Sequence, residues 1–130
     1  MTMLDTSAVL DLLAGIPTAV AAYRDLEQRK DRITVPTVVL YETRLVLGLR
    51  GARRKLAKAE RVLARMPRAP LDDPSAARAA DVGVHLSARG AGIGPIDTLV
   101  AGTALAHGEP LLCSDPDFDR VPGLTVIRYR

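Results

Sequence analysis

The 130-residue sequence predicts an α/β protein of three layers, α/β/α, around a mainly parallel central sheet of about five strands. Two observations carry that prediction. Short apolar runs of strand length, 2–4, 32–35 and 111–113, alternate with longer stretches of helical periodicity. Helix punctuation also falls between them: Thr6, Pro17, Thr37 and Pro95 sit where helices start, and Gly15, Gly51 and Gly108 where they stop. A chain that is 48% hydrophobic and 25% charged suits one domain, 1–130, without repeat or linker.

The elements follow in order. Residues 2–4 form a strand that ends at Asp5. Thr6 caps a helix over 7–14, and Pro17 opens a second that runs to about 28. A strand over 32–35 meets Pro36, and Thr37 starts a helix that continues to about 49. The amphipathic segment 53–66 is a further helix. Breakers crowd 67–74, with a short strand expected near Leu71, and 75–88 is helical. Pro95 opens a helix that reaches His107, followed by strands at 111–113 and 124–127.

Composition narrows the functional classes. Three tyrosines and one phenylalanine are too few for an aromatic platform that stacks single-stranded bases. A lone cysteine, Cys113, excludes an internal disulfide and any zinc site built on several cysteines. The longest uncharged run, residues 12–23, is too short to cross a bilayer, and Asp5 and Asp11 spoil a signal peptide. A cytoplasmic protein without a membrane partner is expected.

The formal charge of +3 conceals a polarity. Residues 44–68 hold nine basic residues and one acid, Glu60, so the block is +8 while the remainder is −5. Within it Arg54, Lys58, Arg61 and Arg65 recur on one side of a helix, with Leu56, Ala59, Leu63 and Met66 on the other. Such a stripe is either a solvated face or a grip for a phosphate backbone.

The acids are more informative. Asp5 and Asp115 each follow an apparent strand at its carboxyl end, where α/β sites gather, and Asp117 stands just behind. Glu42 lies among Val38, Val39, Leu45, Val46 and Leu49, and Asp97 shares an arc with Val100, Ala101 and Ala104. A carboxylate on an apolar arc is costly unless it is paired. Each acid alone is explained by capping or a turn; four converging on one point would repel one another unless a cation joined them. Oxygen-only ligands select hard ions, Mg²⁺ or Mn²⁺. Carboxylate-held divalent ions suit in-line attack of water on a phosphodiester, and the basic stripe would then hold the substrate backbone.

Four segments in order resemble a PIN-domain nuclease, in particular a VapC-type toxin of a toxin–antitoxin pair. Leu4-Asp5-Thr6-Ser7-Ala8-Val9 resembles the family's opening strand, acid and hydroxyl pair. Pro36 through Tyr41-Glu42-Thr43-Arg44 resembles the segment with the helical glutamate, and Ile96-Asp97-Thr98-Leu99-Val100-Ala101 the third-acid helix. Leu111-Leu112-Cys113-Ser114-Asp115-Pro116-Asp117-Phe118 resembles the closing segment. The resemblance implies a PIN-like sheet sandwiched by helices, Mg²⁺-dependent cleavage of structured RNA such as tRNA or rRNA, and an antitoxin that occludes the site. It implies a catalytic quartet of Asp5, Glu42, Asp97 and Asp115, with the metal on Asp5, Asp97 and Asp115. Thr6, Ser7, Thr98, Ser114 and Asp117 would support these ligands, and Arg54, Lys58, Arg61 and Arg65 would meet RNA. Ser114 stands where many relatives have threonine or asparagine.

Leu40 and Leu47 lie opposite Glu42 on their helix, so a partner is expected there: a second copy in a homodimer, the antitoxin, or both. Rival readings are weaker. A phosphoacceptor receiver domain needs a late lysine, but the lysines are Lys30, Lys55 and Lys58. A haloacid-type phosphatase needs a second aspartate where Ser7 stands. A PIN-like module that binds RNA or protein without cutting would be expected to have lost acids.

Overall fold

Residues 1–130 are all described by the computed structural model. Five short strands lie in the order β3-β2-β1-β4-β5, every neighbouring pair parallel. They are β1 (Thr2–Leu4), β2 (Ile33–Pro36), β3 (Arg68–Ala69), β4 (Leu111–Cys113) and β5 (Val126–Arg128). β1 and β4 are buried at every position, as expected of strands covered on both faces. In register, Met3 stands beside Thr34 on one side and Leu111 on the other.

Six helices connect the strands: α1 (Thr6–Leu13), α2 (Pro17–Gln28), α3 (Thr37–Leu49), α4 (Arg53–Leu63), α5 (Asp73–Ala88) and α6 (Pro95–His107). From β1 the chain steps through β2 to β3 in one direction, then returns past both to β4. Right-handed crossovers therefore put α1–α4 on one face and α5–α6 on the other; most helix contacts fall within those groups, and α3 also meets α6. The three-layer α/β/α arrangement with five parallel strands is the one the sequence predicts. The core between the layers is aliphatic, built on Met3, Leu4, Val35, Val39, Leu111 and Leu112, with Phe118 fully buried beneath the turn that follows β4.

Several local expectations are corrected. Asp5, not Thr6, caps α1: its carboxylate accepts the Ala8 N–H at 3.1 Å, and the helix starts at Thr6. The short third strand is at Arg68–Ala69 rather than near Leu71, because Val35 and Pro36 pair with it there. The last strand is shifted to Val126–Arg128, in register with Leu111–Cys113. α3 lies on the core through Val38, Val39, Thr43 and Leu47, so Leu47 is buried and Leu40 partly buried. The exposed apolar line of that helix is instead Tyr41, Leu45 and Leu49. No single helix is long and apolar enough to cross a membrane.

α6 lies close against α5 because both present small residues at their crossing. A Cβ on Gly102 would stand 2.5 Å from the Ala79 backbone nitrogen and Cβ. Only glycine permits that approach.

Candidate active site

The return of the chain past β1 makes a crevice at the carboxyl ends of β1 and β4, the point where strand order reverses. Asp5 leaves β1 there, and Ser114 and Asp115 leave β4 beside it. α6 brings Asp97 in its first turn, and α3 brings Glu42 in its second. Four segments far apart in sequence thus deliver carboxylates to one crevice.

The closest group is Asp97, Asp115 and Asp117, whose carboxylate oxygens lie within 4.8 Å of one another. Asp117 therefore stands level with two of the expected ligands rather than behind them. Its other oxygen contact is Arg120 at 3.4 Å. Asp5 lies deeper, 4% exposed. Burial is the main force that raises its carboxyl to about 6; the Ser7 hydroxyl and the Ala8 and Ser7 amides pull it down, and Asp115 adds a smaller upward push. Asp97 is also raised to about 6, first by burial and then by the negative charges of Asp115, Asp5, Glu42 and Asp117. The field of four acids at one carboxyl is the electrostatic signature of their convergence. Glu42 is half-buried and forms no ion pair; Arg44, its neighbour in sequence, reaches Glu60 at 3.2 Å instead.

The supporting residues divide. Ser7 Oγ donates to Asp5 Oδ1 at 2.7 Å, and Ser114 Oγ donates to Ser7 Oγ at 3.2 Å, so two hydroxyls fix the deepest carboxylate in series. Asp115 accepts the Asp117 N–H at 2.9 Å, which turns the chain into a short 3-10 turn over Pro116–Arg120. Thr98 does not reach the acids: its hydroxyl donates back to Gly94 O at 2.9 Å. The Thr6 hydroxyl is buried without a partner, as is that of Thr43 on α3.

The basic stripe does not run up to the crevice as a unit. Arg54, Lys58, Arg61 and Arg65 are all exposed. Lys58 Nζ donates to Leu13 O at 3.3 Å. Arg61 and Arg65 flank a groove with Tyr23, and Arg65 also borders Asp31 and Arg32, which precede β2 at the opposite end of the sheet. Different cations share a cavity with Ser7, the residue that holds Asp5. Arg50, Lys55 and Arg130 line a cavity of about 260 Å³ together with Ser7 and Asp11. Tyr129 O–H donates to Asp11 at 2.6 Å and Arg130 pairs with the same carboxylate at 3.2 Å. Sequence reasoning misses this group because its members come from the end of α3, the start of α4, α1 and the segment after β5. A separate hollow of about 180 Å³ between α1, α2 and α4 is apolar and holds none of the acids.

The oxygen-only donor set, with carboxyls raised by burial and, at Asp97, by the neighbouring acids as well, fits a hard divalent cation better than any other group. Asp97, Asp115 and Asp117 are spaced to share one, with Asp5 and Glu42 adding charge. The PIN domain family model matches residues 2–124, nearly the whole chain and all of these acids.

The chain belongs to the PIN-domain family.

Solved structures agree on the fold of this PIN domain. A VapBC2 complex from Rickettsia felis bound to a fragment of promoter DNA superposes with a TM-score of 0.87 at 20% identity, covering 99% of this chain and 98% of the other. VapBC-5 from Mycobacterium tuberculosis gives 0.75 at 25% identity, over 98% and 97%. VapC20 of the same organism, a toxin that cleaves the sarcin–ricin loop, gives 0.76 at 17% identity, over 98% and 99%. A search of curated proteins returned no match.

Proposed function

We propose that this PIN domain is a divalent-metal-dependent endoribonuclease, the toxin half of a toxin–antitoxin pair, that hydrolyses phosphodiester bonds of structured RNA. One observation carries the reading: carboxylates from β1, α3, α6 and the β4 exit meet at a single crevice, where their charge adds to burial in raising Asp97. A fold does not maintain that repulsion for stability, since each acid could be exchanged for a neutral isostere. The structural likenesses to VapBC complexes and to an RNA-cleaving VapC toxin support the choice of substrate and partner.

Asp97, Asp115 and Asp117, with Asp5 and Glu42 beside them, would hold Mg²⁺ or Mn²⁺. When bound, such an ion lowers the pKa of water and offsets the negative charge of the phosphodiester. The protein's own part is placement. Ser7 and the Ala8 N–H fix the Asp5 carboxylate so that one oxygen is occupied and the other is left for the site. Asp115 is fixed in the same way by the Asp117 N–H. Glu42 carries an uncommitted carboxylate at the rim, available to take the proton of the attacking water. The net positive charge of residues 44–68 attracts a polyanion to the protein.

An antitoxin, a second copy, or both would cover the exposed line of Tyr41, Leu45 and Leu49 on α3. The decisive experiment is cleavage of a tRNA and rRNA mixture with Mg²⁺, with and without EDTA, beside Asp5→Asn and Asp97→Asn. The expected result is cleavage by the wild type alone, abolished by EDTA, with both variants down at least about a hundredfold, the usual order for loss of a principal electrostatic element. Undiminished cleavage in both variants, or in EDTA, would remove the metal site from the reaction.

A further inference from the structure

We infer that the cavity beside Ser7 is a phosphate subsite, which seats a backbone phosphate of the RNA next to the one that reacts. This rests on the ribonuclease reading above, and it replaces the stripe of Arg54, Lys58, Arg61 and Arg65 as the principal grip. Three independent observations place it. The first is continuity with the acids: Ser7 lines the cavity, and its hydroxyl donates to Asp5 at 2.7 Å, so the two sites share a wall.

The second is uncompensated charge. Of the three cations that line the cavity, Arg130 is paired with Asp11, while Arg50 and Lys55 belong to none of the molecule's ion pairs. Two unpaired positive charges therefore face a hollow of about 260 Å³ whose wall is polar at Ser7 and Asp11 and apolar at Leu10, Leu13 and Leu47. The Asp11 carboxylate has a different task. It accepts the Tyr129 O–H at 2.6 Å and the Arg130 guanidinium at 3.2 Å, and so holds Arg130 in place over the cavity.

The third is a local cost that the fold does not explain. Lys55 follows Arg53 and Arg54 in the first turn of α4, which contains no acid and whose preceding residue, Ala52, offers no side-chain cap. The free N–H groups and positive dipole end of a helix disfavour cations there. Stability alone would select acids or a capping serine. A nearby anion gains instead, because the positive end of the helix dipole and the Lys55 charge act in one direction. A guanidinium offers paired donors that match phosphate oxygens, and an ammonium adds a point charge, so the ligand class is a phosphodiester rather than a neutral sugar or base.

The test is binding of a fluorescein-labelled RNA dodecamer, followed by anisotropy in EDTA so that no cleavage is needed. The Arg50→Gln/Lys55→Gln double variant is compared with Arg61→Gln/Arg65→Gln, which removes the same charge from the other end of the helix. The cavity double is expected to bind about tenfold more weakly, with a salt slope lower by about 1.4, the value for two lost contacts to single-stranded phosphates. The conservative double Arg50→Lys/Lys55→Arg should retain most of the affinity, which separates charge from folding. A loss from the cavity double no larger than that from Arg61→Gln/Arg65→Gln overturns the inference. So does saturable binding of inorganic phosphate that leaves the dodecamer in place, since the cavity would then serve a free anion. Failure of the ribonuclease reading shows separately, as absent cleavage in Mg²⁺ with this binding pattern intact.

Discussion

Asp97 shows how a carboxylate in the candidate site is set against the stability of the fold. Its ordinary carboxyl value is 3.8, and in the folded protein burial and four neighbouring acids raise it to about 6. Between those values the folded chain holds a proton that the unfolded chain has released. The contribution of Asp97 to stability is therefore greatest at low pH and falls as pH rises through that window. At pH 7 the repulsion is fully expressed. Asp97→Asn should raise the melting temperature in EDTA at pH 7 by a few degrees, on the order of 1 kcal/mol once screening at a half-buried group is allowed for. The gap should close at pH 4, where the folded wild type is itself protonated. Thermal melts at the two pH values measure it, and a less stable variant at pH 7 would show that Asp97 is structural. At this scale the sequence is most legible where chemistry contradicts its surroundings. Asp97 and Glu42 stand out because apolar arcs have little use for them. The role of Asp117 is less visible, since a turn such as Asp115-Pro116-Asp117 explains itself. The turn of the Thr98 hydroxyl onto Gly94 O is a choice of rotamer that no sequence spacing reveals.

Among elements, the crossing of α5 and α6 governs the geometry of the crevice. α6 carries Asp97 in its first turn, and its position is set by the contact of Gly102 with Ala79. Gly102→Ala would force a carbon to within 2.6 Å of Ala79 backbone atoms, so the helices must separate. Overpacking of this kind costs about 1–3 kcal/mol. The expected outcome is a lower melting temperature and a larger proportional loss of RNA cleavage than of stability, because Asp97 moves with its helix. Chemical denaturation beside cleavage rates checks it; a stable variant with unchanged rates would show that the contact is slack. Helices were legible where punctuation and periodicity agreed, as with Pro17–Gln28, Thr37–Leu49 and Pro95–His107. The weak strands were not, because two or three residues carry no period. β3 is fixed at Arg68–Ala69 by its pairing with Val35 and Pro36, and β5 by its register with β4. Which side of α3 faces outwards is hidden in the sequence for a related reason. Leu47 and Leu45 are equally apolar, and only the position of the core decides that the first is buried and the second exposed.

The molecule as a whole is divided by charge and by polarity. The acids gather at the carboxyl edge of the sheet, cations crowd α4 and the end of α3, and α3 leaves Tyr41, Leu45 and Leu49 uncovered at 56%, 43% and 80% exposure. An i, i+4, i+8 line of that kind is suited to another apolar surface. Leu45→Gln/Leu49→Gln should shift the protein towards monomer in sedimentation velocity and leave its melting temperature within a degree or so, since neither side chain is in the core. Unchanged sedimentation, with wild type already monomeric at high concentration, would remove self-association from that face.

The central place of β1 sets the order in which the sheet and its acidic crevice can be assembled during synthesis. Met3 pairs with Leu111, so β1 waits for β4, more than a hundred residues later, before the sheet can close around it. Pairings so distant along the chain form late in folding. Until Leu111–Cys113 has emerged, Asp5 has no Asp115 beside it, and the crevice has only one wall. A chain that stops short of β4 therefore has an incomplete acidic crevice, however well its earlier helices are formed.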